Sequence, residues 1–260
     1  MSERILFTEE RRNEIVRLVN AEGSVTVQDL SRRYHVSGTT IRLDLTALEQ
    51  AGLLQRTHGG AVKNLEMLPV EKEPRMDERS HFEEKRRIAA AALSLVHENE
   101  AILIDTGTTT TCFAELLSKS AIPGLTVYTT DLLVAARMEQ KDHCELRMIG
   151  GSVRSGFHYT YGQAVLDELS RYHFKKVFLA TSAVDSQGCT TANSDLVLTK
   201  KAMIQAADEV ILLADSSKFG FVDFERFADL SQLDVVITDS NLKKEYQDYF
   251  SDTLNDLILA

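Results

Sequence analysis

Cysteine is scarce. Cys112, Cys144 and Cys189 are the only three in 260 residues, and no two lie close together. An odd, widely spaced set argues against a disulfide framework and against a zinc ribbon. Long apolar runs are missing too, and none approaches the roughly 20 residues needed to span a bilayer. The N-terminus, MSERILFTEERR, is charged at once and has no apolar signal core, so the sequence predicts a cytoplasmic protein with no membrane attachment. Neither an internal repeat nor a low-complexity segment occurs. The Gly-Lys-Ser/Thr ending of a Walker loop, the Gly-x-Gly-x-x-Gly turn, HExxH and Gly-x-Ser-x-Gly are all absent. The seven histidines are scattered singly, and no metal site or cofactor is expected.

What is present is an ordinary globular composition, 43% hydrophobic and 26% charged. That is apolar enough to offset chain entropy, and the length suits one large domain or two unequal ones. Only three prolines occur, and Pro69 and Pro74 share a charged stretch, residues 63–84, that is poor in apolar periodicity. This reads as a linker between a head, residues 1–62, and a body, residues 85–260. The net charge of −10 first argues against nucleic-acid binding, but it is unevenly spread. The head holds eight basic and eight acidic residues, so the whole excess, 31 acidic against 21 basic, belongs to residues 63–260. A neutral head is expected to bind DNA weakly without sequence specificity, and to depend on a few placed arginines and on paired heads.

The head has helical signals. Thr8 can cap a first helix with Ile15, Leu18 and Val19 at helical spacing, and Gly23 can stop it. Thr26 and Asp29 have capping-box spacing and open a short helix with Leu30 and Tyr34 on one side. His35, Val36 and Ser37 make a turn. Ser37 then caps a third helix, with Val36 and Ile41 as a hydrophobic staple. Ile41, Leu45 and Leu48 form its buried stripe, and Gly52 ends it. Residues 53–62 are two short apolar runs around Gly59 and Gly60, a small hairpin. The plan is a winged helix-turn-helix. Thr39, Arg42, Leu43 and Thr46 point away from the buried stripe. Arg42 can read a guanine edge or clamp a phosphate, and Leu43 can touch a thymine methyl. The helix N-terminus at Ser37, with the Thr39 and Thr40 hydroxyls, suits a DNA phosphate. Arg56 and His58 flank the hairpin turn and can reach the backbone or minor groove. The bland alternative is a dimerisation module with a merely solvated Arg42.

The body alternates. Residues 101–105, 125–129, 145–149, 176–180, 210–214 and 234–238 are short apolar strands between helical patterns, which predicts a mostly parallel sheet covered on both faces. The first strand runs into Asp105-Thr-Gly107-Thr108-Thr109-Thr110-Thr111 at a helix N-terminus, where backbone N–H groups and hydroxyls can hold a phosphate. Other strands lead to Gly151 and Arg154, to Asp185, and to Asp215 and Lys218. In an open parallel sheet, ligands bind beyond the carboxyl ends of the strands. Arg154 and Lys218 would meet a phosphate, and Asp105, Asp185 and Asp215 would accept from sugar hydroxyls. A tight turn and ordinary helix caps are the bland reading of each residue alone. Residues 85–96, with Ile88, Ala92 and Leu95, form a further helix suited to contacts within or between subunits.

Two stretches carry a family resemblance. Val25-Thr-Val-Gln-Asp-Leu30, Val36-Ser-Gly-Thr-Thr-Ile-Arg-Leu-Asp-Leu45 and Leu48-Glu-Gln-Ala-Gly-Leu-Leu-Gln-Arg-Thr-His-Gly-Gly-Ala61 resemble the head of the DeoR family of transcriptional regulators. Where that family often has a second Arg, this chain has Leu43. Ile149-Gly-Gly-Ser-Val-Arg154, Tyr161-Gly-Gln-Ala164, Thr199-Lys-Lys-Ala-Met203 and Ala214-Asp-Ser-Ser-Lys-Phe-Gly220 are similar to its sensor domain. The resemblance implies a fold related to ribose-phosphate isomerases and CoA-transferases, a phosphorylated sugar as effector, and Gly107, Thr108, Thr109, Gly151, Arg154 and Lys218 at effector-binding positions. It further implies a repressor of a carbohydrate-utilisation operon that binds double-stranded operator DNA as a homo-oligomer, dimer or tetramer, with no catalytic residues. The alternative is a sugar-phosphate isomerase with an accessory head, with Asp185 as base beside Lys218.

Overall fold

The helical head and the alternating body fold as separate units, Met1–Val70 and Glu71–Ala260. The computed structural model describes residues 8–50, 53–57, 59–62, 81–139, 144–253 and 256–260. In the head, α1 (Thr8–Glu22) is followed by β1 (Ser24–Thr26), α2 (Val27–Tyr34), α3 (Gly38–Gln50), β2 (Gln55–Thr57) and β3 (Gly60–Val62). Ile15 and Val19 of α1, Leu30 and Tyr34 of α2, and Ile41, Leu45 and Leu48 of α3 close one core with Leu54 and Ala61. Full burial of each Leu or Ile is worth about 1.5–3 kcal/mol.

Local chemistry starts the helices where the spacing predicts. Thr26 Oγ1 accepts the Asp29 N–H at 3.1 Å and donates to the Asp29 carboxylate at 2.6 Å. Ser37 Oγ accepts the Thr40 N–H at 3.1 Å. Between the two helices, His35 adopts the left-handed conformation, φ 52°. The wing differs from the expected hairpin, because β1 adds a third strand in the order β1-β3-β2, with Val25 opposite Ala61. That strand explains Gly60: a Cβ there would lie 1.9 Å from the Val25 carbonyl oxygen. A three-residue strand abutting a helix is too short to show alternation in sequence. Gly52 and residues 63–80 of the expected linker lie outside the described residues, and positions 82–84 belong to a helix instead.

The body begins with that helix, α4 (Phe82–Leu93), then β4 (Ala101–Ile104), α5 (Thr108–Lys119), β5 (Leu125–Thr129), α6 (Leu132–Met138) and β6 (Cys144–Met148). A hairpin of β7 (Ser152–Arg154) and β8 (Tyr159–Tyr161) leads to α7 (Gln163–Leu169) and β9 (Phe174–Leu179). Next come β10 (Ala183–Asp185), β11 (Gly188–Thr191), α8 (Ser194–Gln205), β12 (Ala207–Leu213) and β13 (Glu225–Asp229). The chain closes with β14 (Val235–Thr238), α9 (Lys244–Thr253) and β15 (Asp256–Leu259). The six strands read from the sequence are β4, β5, β6, β9, β12 and β14. With β15 they form a parallel sheet in the order β15-β14-β12-β9-β4-β5-β6.

Both faces are covered, which is why the inner strands are largely apolar runs. Ile102 and Ile104 of β4, Ile211 and Leu213 of β12, and Ile237 of β14 face a core shared with α4, α5 and α6. Leu103, Leu212 and Val236 face the opposite core with α7, α8 and α9. Ile88, Ala89 and Ala92 of α4 are fully buried in the first core, so this helix makes its apolar contacts within the body. Two antiparallel additions, β7-β8 and β10-β11-β13, were not legible as strands.

Candidate functional site

The outer face of α3 carries Thr39, Arg42 and Leu43 as exposed side chains, with Leu43 at 65%. Arg42 leans back over the start of its own helix, where a Cβ at Gly38 would lie 3.5 Å from its Nη1. The Ser37 and Thr40 hydroxyls bond each other at 2.9 Å. Thr46 is a brace. Its hydroxyl donates to the Arg42 carbonyl and accepts from Arg56 Nη1, both at 2.8 Å, while Glu49 accepts the Arg56 N–H at 3.0 Å. The wing is thereby fastened to α3, and the Arg56 guanidinium is engaged there. A groove of about 440 Å³ runs beside this face, lined by Gln28, Arg32, Gly38, Arg42 and, at the wing turn, Gly59. His58 lies outside the described residues. An exposed guanidinium, hydroxyls and a helix N-terminus on one face suit phosphates and base edges.

Beneath that face lies a residue that the sequence reading missed. Asp44 is buried and accepts from Arg11 Nε at 2.7 Å and Arg12 Nε at 3.0 Å, which ties α1 to α3. The signal existed: Asp44 falls three residues after Ile41 and four before Leu48, on the buried stripe itself.

In the body, the strand order reverses direction between β4 and β9. From β4 the chain steps outward to β5 and β6, and from β9 to β12, β14 and β15. Ligand crevices form at such a switch point. The Asp105 N–H continues the ladder to the Phe178 carbonyl at 3.0 Å, and Asp105 Oδ2 accepts the Ala180 N–H at 2.9 Å. The buried ammonium of Lys200, from α8, donates to the same carboxylate and, at 2.8 Å, to the Ala180 carbonyl. Lys200 is 1% exposed and lies 5.0 Å from the centre of the Phe227 ring. Asp105 is therefore held below the loop by an ion pair between residues 95 apart. Gly107 lies above it at φ 154°, and a Cβ there would come within 2.7 Å of Ala180 Cβ.

The threonines divide. Thr110 and Thr111 donate their hydroxyls to the Gly107 carbonyl at 2.9 and 2.8 Å, and Thr109 is buried. Gly107 and Thr108, with Thr106, line a cavity of about 100 Å³. Its other walls include Phe82 and Lys85 of α4, Thr111 and Glu115 of α5, Arg137 of α6, and Phe157 and His158 of the β7-β8 turn. Asp131 joins the loop to α6: its carboxylate accepts from the Thr106 hydroxyl at 2.5 Å and from the N–H groups of Leu133 and Val134 at 2.7 and 3.0 Å. Burial raises the Asp131 pKa from its ordinary value despite these bonds. Cys112 also lines the cavity, and burial, with Glu115 nearby, pushes its thiol up, as suits packing rather than nucleophilic chemistry.

The remaining predicted residues do not line this cavity. A Cβ at Gly151 would lie 2.7 Å from the Tyr161 carbonyl oxygen, so that glycine permits close packing of the hairpin. Arg154 stacks over Phe157, 4.8 Å from its ring centre, and pairs with Asp195 at 4.0 Å. Asp185 closes the β10-β11 turn by accepting the N–H groups of Gln187 and Gly188 at 2.9 and 3.0 Å, and Arg226 approaches it at 3.5 Å. Asp215 caps a short 3₁₀ turn that carries half-buried Lys218. Lys85 and Arg137 went unread. Lys85 had a legible signal, since it lies three residues before Ile88 and seven before Ala92 on the buried face.

Residues 80–240 match the DeoR C terminal sensor domain, and residues 11–66 match the DeoR-like helix-turn-helix domain. The lactose phosphotransferase system repressor of Streptococcus mutans is 37% identical over 238 residues, covering 89% of this chain and 92% of that protein. The HTH-type transcriptional repressor GlcR of Bacillus subtilis is 31% identical over 238 residues, covering 90% and 89%. Among solved structures, ribose 5-phosphate isomerase A of Methanocaldococcus jannaschii overlays with a TM-score of 0.41 at 16% identity, covering 54% of this chain and 55% of that one. Both matched domains are those of a regulator, so the isomerase alternative falls away and the chain is not an enzyme. From helix-turn-helix head to sensor body, the chain belongs to the DeoR family of transcriptional regulators.

Proposed function

We propose that this protein represses a carbohydrate-utilisation operon and is released from its operator by a phosphorylated sugar bound in the body. The observation that carries the reading is the pairing of an exposed Arg42 face, braced by Thr46 and the wing, with a Gly107 loop at the switch point of a parallel sheet. Relatives named as repressors, one of them of a lactose phosphotransferase system, support it. Arg42 reads a base edge or clamps a phosphate, with the α3 N-terminus at Ser37 on the DNA backbone. Two heads of a homo-oligomer read two half-sites about one helical turn, or a multiple of it, apart. Effector binding acts by favouring one body conformation over another, which requires unequal affinity for the two. Gly107, Thr108 and the α5 N-terminus hold the effector's anionic group.

The test is a mobility-shift titration on the DNA upstream of the protein's own gene, with and without sugar phosphates. Wild type shifts the DNA and releases it when a sugar phosphate is added. Arg42→Ala loses DNA binding while its thermal shift with the same sugar phosphate is unchanged. Failure of wild type to bind, or equal loss of both activities in Arg42→Ala, rejects the reading.

A further inference from the structure

The parallel sheet of the body ends at β6. That strand pairs with β5, Leu125 opposite Cys144 and Thr129 opposite Met148, and lies against α6. Among the described residues no strand pairs with its outer side. The Ile149 N–H donates to the Thr129 carbonyl at 2.8 Å, so residue 149 turns its backbone inward. Alternate residues of a strand bond to the same side, so Glu145 and Arg147 also turn towards β5. The N–H and C=O groups of Cys144, Leu146 and Met148 therefore point outward. A row of such groups is a template for another strand.

Glu145 and Arg147 stand on one face of this strand, with side chains 58% and 50% exposed. Arg147 bonds Glu145 through Nε at 2.9 Å and through Nη2 at 2.8 Å. Its guanidinium also lies 5.7 Å from the centre of the Tyr128 ring, which holds both charges beside the edge. Charges on an edge strand usually keep a second copy away, because the copy presents the same sign. Here the signs are opposite and are placed evenly about Leu146. The edge at the other end of the sheet lacks this pattern. In β15 the charged residue is Asp256, and the position that mirrors it is the apolar Leu259.

We propose that β6 pairs antiparallel with β6 of a second copy of this chain, about a two-fold axis at Leu146, and joins two sheets into one. In that register Leu146 faces Leu146 and Cys144 faces Met148, as hydrogen-bonded pairs that use the outward groups. Glu145 then falls opposite Arg147 of the second copy, and Arg147 opposite its Glu145, as the closer, non-hydrogen-bonded pairs. A slide of one residue mismatches the backbone groups. A slide of two sets Glu145 against Glu145 or Arg147 against Arg147. Backbone and charge thus select the same register, and the contact is isologous. This deepens the proposed function and rests on its paired heads, since it names the surface through which two copies associate. Joining two heads raises operator affinity through effective concentration.

Sedimentation velocity of the full chain is the test, with a thermal midpoint for each variant as the check on folding. Glu145→Arg and Arg147→Glu change exposed side chains, and each sets like charges opposite one another in the pair. Each variant alone is expected to self-associate at least about tenfold more weakly than wild type. Mixed in equal amounts, the two variants associate again, because the acidic positions of one meet the basic positions of the other. The bond within each strand stays broken in that mixture, so the recovery reads only the contact between copies. Wild-type association in either single variant, a mixture no stronger than its components, or a wild type that stays monomeric overturns the pairing. If wild type is monomeric yet shifts operator DNA and releases it with a sugar phosphate, the pairing falls and the repressor reading stands. If the mixture recovers but wild type does not shift operator DNA, the pairing stands and the repressor reading falls.

Discussion

Replacing Lys200 by Met tests the buried pair beneath the ligand loop. The ammonium bonds the Asp105 carboxylate and, at 2.8 Å, the Ala180 carbonyl, and it lies inside the body at 1% exposure. Met fills most of the volume, so the loss is chiefly electrostatic. Asp105 is left as a fully buried carboxylate whose Oδ2 keeps the Ala180 N–H and whose Oδ1 has no hydrogen-bond partner among the described residues. Stranding one member of a buried pair costs about 3–5 kcal/mol. At about 2–4 °C per kcal/mol for a unit of this size, the unfolding transition of the body falls by roughly 6–20 °C. Adding Asp105→Asn removes the stranded charge while leaving an acceptor for the Ala180 N–H, so the double variant recovers to within about 2 kcal/mol of wild type. The assay is urea denaturation followed by far-UV circular dichroism on wild type, both single variants and the double variant, read as a double-mutant cycle. A Lys200→Met variant within 1 kcal/mol of wild type, or a double variant no more stable than Lys200→Met, refutes the argument that this pair holds the β4-β9 junction.

Gly107→Ala should lower the thermal midpoint, because its Cβ meets Ala180 Cβ at 2.7 Å in a backbone region costing about 1–3 kcal/mol. Adding Ala180→Gly relieves the clash but not the strain, so recovery is partial; an unchanged midpoint in Gly107→Ala would contradict the geometry. Asp131→Ala removes the α6 cap and costs about 1–2 kcal/mol in chemical denaturation. Asp131→Asn costs less, since its amide oxygen still caps the helix and the burial that raises the Asp131 pKa no longer acts on a charge; equal losses in the two variants would reject this. Glu100 supplies a pH signature. Burial raises its pKa, but the bonds from Lys176 and from the His97 N–H outweigh it, and the net shift is downward. A carboxylate lowered by folding stabilises above its unfolded pKa, about 4.3, and that stability is lost as pH falls through the lower folded value. Glu100→Gln should therefore flatten the fall in unfolding free energy between pH 5 and pH 3, and a slope matching wild type would exclude the Glu100–Lys176 bond as its source.

Local pattern was enough for much of the molecule. Apolar residues at helical spacing define α1, α2 and α3, and Thr26 and Ser37 bond where capping chemistry requires. Short apolar runs determine β4, β5, β9, β12 and β14, because a strand buried on both faces has no polar side to show, whereas β6, at the sheet edge, alternates with Glu145 and Arg147 exposed. The Gly107 loop follows from its residues, and so does the exposed Arg42 face. Tertiary structure decided which charges lie inside. Asp44 meets Arg11 33 residues away, Lys176 meets Glu100 76 residues away, and Lys200 meets Asp105 95 residues away. A charge can be buried only if a distant element brings its partner, and spacing along one helix or strand carries no information about that arrival. Asp185 closes its own turn between β10 and β11, through N–H groups two and three residues on, and among the described residues only Arg226 reaches it from a distant strand. Lys85, read as the start of a helix, was turned into a cavity by the burial of Ile88 and Ala92.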